Sequence, residues 1–167
     1  MRKRIVMMTC LYLFVLLILY GCIFEPEGYK FDYNDLKDNV ISIELIYYDN
    51  FDAQIIERKN VEKSFDFTKM NIIKELDEKH LDEFILDMSN IDITMFDHMS
   101  ETPIGESIKM NYRNGDFVVM SEISKGEKTW RFVGRFAKNG ELINAIGGFW
   151  WSSYADLVNK YFNNKIE

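Results

Sequence analysis

The chain has 167 residues, a formal charge of −7 (20 Lys and Arg against 27 Asp and Glu), 47% hydrophobic residues and 15% aromatic residues. That length suits one domain with a real core rather than two. The apolar content excludes a disordered chain, the 2 prolines and 9 glycines exclude a low-complexity one, and the acidic balance argues against a nucleic-acid partner, whose phosphates demand a Lys/Arg surplus.

The N-terminus is the most biased stretch. Met1-Arg2-Lys3-Arg4 is basic, and Ile5 to Phe24 then carries no charged residue. A basic n-region followed by an apolar h-region has the layout of a secretory signal. It ends in Leu19-Tyr20-Gly21-Cys22, and here the chain resembles a bacterial lipoprotein signal. Leu19, Gly21 and Cys22 match the aliphatic, small and cysteine positions of that family's lipobox, while Tyr20 departs from its usual small residue. The resemblance implies a diacylglyceryl group on the Cys22 sulfur, removal of residues 1–21 and acylation of the new N-terminus. An uncleaved transmembrane anchor is the rival reading, since about 20 apolar residues span a bilayer. In both, the cations at 2–4 stay inside and the rest of the chain lies outside the cytoplasm.

Cysteine use agrees with export. Cys10 falls inside the signal, so the mature chain keeps Cys22 alone, and no disulfide framework remains. Losing residues 1–21 removes three cations and no anions, which takes the formal charge from −7 to −10. Such a chain is repelled by anionic headgroups, so lipid rather than a basic patch must hold it to the membrane. That takes two or more acyl chains, because one alone binds marginally.

Residues 22–39 read as a lipidated N-terminus and tether, with Pro26, Gly28 and several acids, although Tyr29, Phe31 and Tyr33 alternate as an edge strand would. A single domain then fills 40–167. In Val40–Tyr48, Ile41, Ile43, Leu45 and Tyr47 share one face, which predicts a half-buried strand. Val61 to Phe67 reads as a second strand. Asp77 to Asn90 predicts a helix, with Leu81, Phe84, Ile85 and Met88 as its apolar stripe and Asp77 as its N-cap.

The C-terminal half predicts a four-strand antiparallel meander. Asn114-Gly115 and Asn139-Gly140 each lie between alternating runs, and Asn-Gly is the strongest signal for a two-residue hairpin loop. That loop length sets Tyr112 opposite Phe117, Met110 opposite Val119 and Phe136 opposite Ile143. Lys125-Gly126-Glu127 makes the reversal between them. Gly147-Gly148 reads as the end of the sheet, and a closing helix follows from about Ser153 to Phe162, capped by Ser152 or Ser153. The expected class is α+β: an antiparallel sheet of about six strands with two helices packed on one face.

Candidate chemistry is sparse. His80 and His98 lack the spacing of metal ligands and read as solvated. Asp32, Asp35 and Asp38 lack the glycine and terminal glutamate of a calcium loop. No GxSxG, SxxK, GxGxxG or Walker pattern occurs, so no catalytic residue, metal or cofactor is assigned. The aromatic run Phe149-Trp150-Trp151 is the exception, because adjacent indoles in an extended bend diverge. At least one of Trp150 and Trp151 is then expected to be exposed, as a candidate binding residue for a protein partner or a cell-wall glycan.

With 19 Ile against 4 Ala, the chain resembles the small lipoproteins of low-GC Gram-positive bacteria. The expectation is a binding or interaction module, lipid-anchored through Cys22 at the outer face of the cell membrane. The alternatives are an envelope enzyme or assembly factor working through two converging carboxylates, and a glycan-binding module built on Trp150 or Trp151.

Overall fold

The structure, a computed structural model, describes residues 28–49, 65–94, 105–125, 128–149 and 151–163. Eight strands form one sheet: β1 (Gly28–Tyr29), β2 (Val40–Tyr48), β3 (Met70–Glu75), β4 (Ile93–Thr94), β5 (Gly105–Tyr112), β6 (Phe117–Lys125), β7 (Lys128–Phe136) and β8 (Leu142–Phe149). Their order is β1-β4-β8-β7-β6-β5-β2-β3, with every pairing antiparallel. Three α-helices accompany them among the described residues: α1 (Tyr33–Asn39), α2 (Leu81–Ser89) and α3 (Trp151–Val158).

The expected sheet of about six strands with two helices is therefore too small. Leu36 of α1, Phe84, Ile85 and Met88 of α2, and Tyr154, Leu157 and Val158 of α3 all pack with Ile43, Leu45, Ile108, Met110, Val118, Met120 and Val133. Each such side chain contributes about 1.5–3 kcal/mol when fully buried. The extra helix lies in the stretch read as tether, whose described part, from Gly28 on, belongs to the fold. Asp32 N-caps it by accepting from the Asp35 N–H at 2.8 Å, and Leu36 is fully buried.

The opposite face is also packed, by Ile46, Tyr48, Phe65, Phe117, Val119, Phe132 and Phe136. Hairpin loop length explains this second core. Around Gly115, Tyr112 donates its N–H to the Asp116 carbonyl, and Gly115 donates back to the Tyr112 carbonyl. The loop is thus three residues, Arg113 to Gly115, with Gly115 alone at positive φ (91°). The Asn114 carboxamide, accepting from the Asp116 N–H at 3.0 Å, closes the turn without a positive φ of its own. The loop at 138–140 repeats the arrangement: Asn139 accepts from the Glu141 N–H, and Gly140 has φ 88°.

One extra loop residue slips each register by one and moves a strand's whole side-chain set to the other face. Phe117 stands opposite Asn111 instead of Tyr112, Val118 opposite Met110, and Leu142 opposite Phe136. Tyr112 consequently faces the helices, while Phe117 and Val119 build the second core.

Four further expectations change. Met70–Glu75, not Val61–Phe67, pairs with β2; residues 61–64 lie outside the described ones, and Phe67–Lys69 is a 3₁₀ turn. Ile41 is exposed because a register shift between Val40 and Ser42 turns Val40 inward in its place. Gly147 and Gly148 lie inside β8, where a Cβ on Gly147 would stand 2.5 Å from the Thr94 carbonyl oxygen. Their lack of side chains lets β4 close on β8. Finally, α3 starts at Trp151, ahead of the serines expected to cap it. Its stripe continues through one π turn, Asn159–Asn163, which buries Tyr161 and Phe162.

Candidate functional site

Cys22, Trp150 and His98 lie outside the described residues. Trp151 is the first residue of α3, and its side chain is not among those described. His80 ends the 3₁₀ turn before α2, with Nδ1 3.8 Å from Glu83. Among the described residues no three His, Cys, Asp or Glu side chains gather as metal ligands would.

The start of α3 sits over the end of the sheet, where the register assembles a polar row. Tyr47 of β2 pairs with Glu106 of β5, and Glu122 of β6 pairs with Arg131 of β7. Carried one residue past the Ser107–Ser121 pair, the β5–β6 ladder brings Glu106 beside Glu122. Tyr154 comes down from α3 and donates its hydroxyl to Glu106 at 3.4 Å. Burial, and then the Glu106 carboxylate, push the Tyr154 hydroxyl well above its usual range, so it stays a donor.

Glu122 and Arg131 form an ion pair but no hydrogen bond. Arg131 Nε lies 3.8 Å from Glu122 Oε2, beyond hydrogen-bonding reach. Both atoms are buried without a protein hydrogen-bond partner. Burial raises the Glu122 carboxyl above the usual range, and the Arg131 charge only partly offsets this. The row therefore holds a buried carboxylate oxygen and a buried guanidinium nitrogen, neither in a hydrogen bond, near the helix start that carries Trp151.

A second concavity lies along α3. A cleft of about 310 Å³ opens between the end of α2 and α3, lined by Asp87, Ile91, Asp92, Ser153, Asp156 and Leu157, with Lys160 at its margin. Lys160 reaches Asp87 at 2.7 Å and Glu83 at 2.8 Å, and Tyr161 donates to Asp87 at 2.7 Å. Burial pulls the Asp87 carboxyl up, but these hydrogen bonds outweigh it and hold the group below the usual range. Burial and the Asp87 bond together push the Tyr161 hydroxyl up to about 12. These groups are spent on each other, and they pin the π turn to α2.

Sequence reasoning named the start of the closing helix but none of Glu106, Glu122, Arg131 and Tyr154. They come from three strands and a helix, and a chain with 27 acidic residues gives no spacing that selects two of them. The two-residue loop would also have set Glu106 opposite Ile123. Compared with known proteins, the chain matches no family model, no curated protein and no solved structure.

Proposed function

We propose that this chain is an extracytoplasmic binding module, held to the cell membrane by lipid on Cys22, whose ligand surface is the row under the start of α3. The observation that carries the reading is the N-terminal pattern: three cations, a charge-free apolar run, and Leu19-Tyr20-Gly21-Cys22 at its end. Support for the ligand surface comes from Glu122 Oε2 and Arg131 Nε, two buried polar atoms paired only by charge and without a protein hydrogen bond. Buried groups of this kind are costly unless something bonds them.

A carboxylate enzyme draws on the same row, through a Glu122 of raised pKa beside Glu106. The two readings separate on one variant. Glu122→Gln keeps a hydrogen-bonding side chain and removes the ionisable group, so a binding module retains its captured partner, whereas an acid–base site loses turnover. The anchor is tested in cells. Cys22→Ala is expected to abolish labelling by radioactive palmitate and to leave the precursor mass uncut; unchanged labelling contradicts the proposal.

A further inference from the structure

The sheet ends at β3, whose one neighbour among the described strands is β2. The Lys69 carbonyl accepts from the Asp49 N–H, and the Leu76 N–H donates to the Ile43 carbonyl, both at 2.9 Å. Alternation along an antiparallel ladder then turns the Met70 and Ile72 backbone groups outward. An open edge of this kind is a template for another strand, and proteins blunt it with proline, lysine or a bulge. β3 holds no proline. Its lysine, Lys74, is drawn back to the Phe162 carbonyl at 2.7 Å and is spent there. The bulge shortens the ladder but leaves apolar surface outside. Between the pairs Ile46–Ile72 and Leu45–Lys74 it makes Ile73 an extra residue, and Ile72 and Ile73 stand side by side, 49% and 53% exposed.

Other exposed apolar side chains gather here. Tyr47 lies across the ladder from Asn71, and Phe67 lies just before the strand. With the two isoleucines they make four of the eight large hydrophobics exposed among the described residues, a concentration that marks a contact surface rather than scattered exposure.

The edge suits a second copy of itself. Glu75 stands opposite Glu44, whose charge Lys109 already answers at 2.8 Å, and like charges facing across a ladder destabilise it. Antiparallel pairing of two copies carries each Glu75 toward the Lys69 end of the other strand. A twofold contact also occupies both open edges at once and stops at two copies.

We propose that two copies of this chain pair antiparallel through β3, about a twofold axis at Ile72 and Ile73. The isoleucines of one copy pack on those of the other, the outward Met70 and Ile72 backbone groups gain partners, and the sheet runs on between copies. A contact one short strand long makes this a reversible dimer. The pairing depends neither on the lipid anchor nor on the row under α3.

The test expresses the full-length chain in intact cells with the photo-crosslinking residue benzoylphenylalanine in place of Ile72 or, for comparison, of the exposed Asp82 on α2. On irradiation, position 72 is expected to give an adduct of twice the chain mass, with this chain on both sides, several-fold stronger than position 82 gives. Adding Ile73→Lys is expected to lower that yield several-fold and to leave the melting temperature unchanged, because the residue is exposed. No adduct above the position-82 level, an adduct with a different protein, a ladder of higher multiples, or a yield that Ile73→Lys does not move would each overturn the dimer.

Discussion

Lys109 shows how one buried charge is accommodated. It is 7% exposed on the second face, pairs with Glu44 at 2.8 Å across the strands, and places its ammonium 5.3 Å from the Phe117 ring centre. Truncating only one partner strands the other charge in a poorly hydrated site. Glu44→Ala is therefore expected to cost about 3–5 kcal/mol in urea denaturation, whereas Glu44→Leu combined with Lys109→Met is expected to lie near wild type. A double variant as unstable as the single one would refute this. Glu122 is the opposite case, a carboxyl whose burial favours the protonated form. A raised folded-state pKa gives stability that is present at low pH and is lost as pH rises from the unfolded value, about 4.3, through the folded one. Glu122→Gln does not titrate. Its melting temperature is thus expected to exceed that of wild type at pH 7, with the gap closing as pH falls toward 4. A gap independent of pH would contradict the assignment.

Among the elements, the hairpins show where pattern reading succeeds and where it stops. Asn-Gly located both reversals, because a glycine is needed at positive φ, and Gly115 and Gly140 are both there. Loop length was not legible, since the asparagines close the turns with their side chains instead of their backbone. From that single residue came the slipped register, the second core and the alignment of Glu106 with Glu122. Strand β3 was missed for a different reason. Ile72 and Ile73 are adjacent and both exposed on an edge, so they carry no period-two signal. Helix α1 was hidden by the alternation of Tyr29, Phe31 and Tyr33, although Asp32 was readable as a cap. The two turn glycines also differ in their surroundings. A Cβ at Gly140 would overlap the Phe65 backbone carbonyl, while one at Gly115 meets the Lys138 side chain at 3.1 Å. Gly115→Ala is expected to cost about 1–3 kcal/mol for its backbone strain alone. Gly140→Ala is expected to cost clearly more, as read from urea midpoints, and equal losses would count against the docking of this turn on Phe65.

Taken as one molecule, the chain joins a basic start and a charge-free apolar run, Ile5 to Phe24, to an acidic remainder. Three helices on one face and an aromatic cluster on the other bury both sides of the sheet's centre. The proposed position at the membrane rests on the first 22 residues, since the rest of the chain is acidic and anionic lipid repels it. The most direct measurement is the intact mass and N-terminal fragment spectrum of the protein extracted in detergent from its own membranes. The account predicts a chain that starts at Cys22 and carries a diacylglyceryl group on sulfur. A chain that still starts at Met1, with an unmodified Cys22, would contradict it.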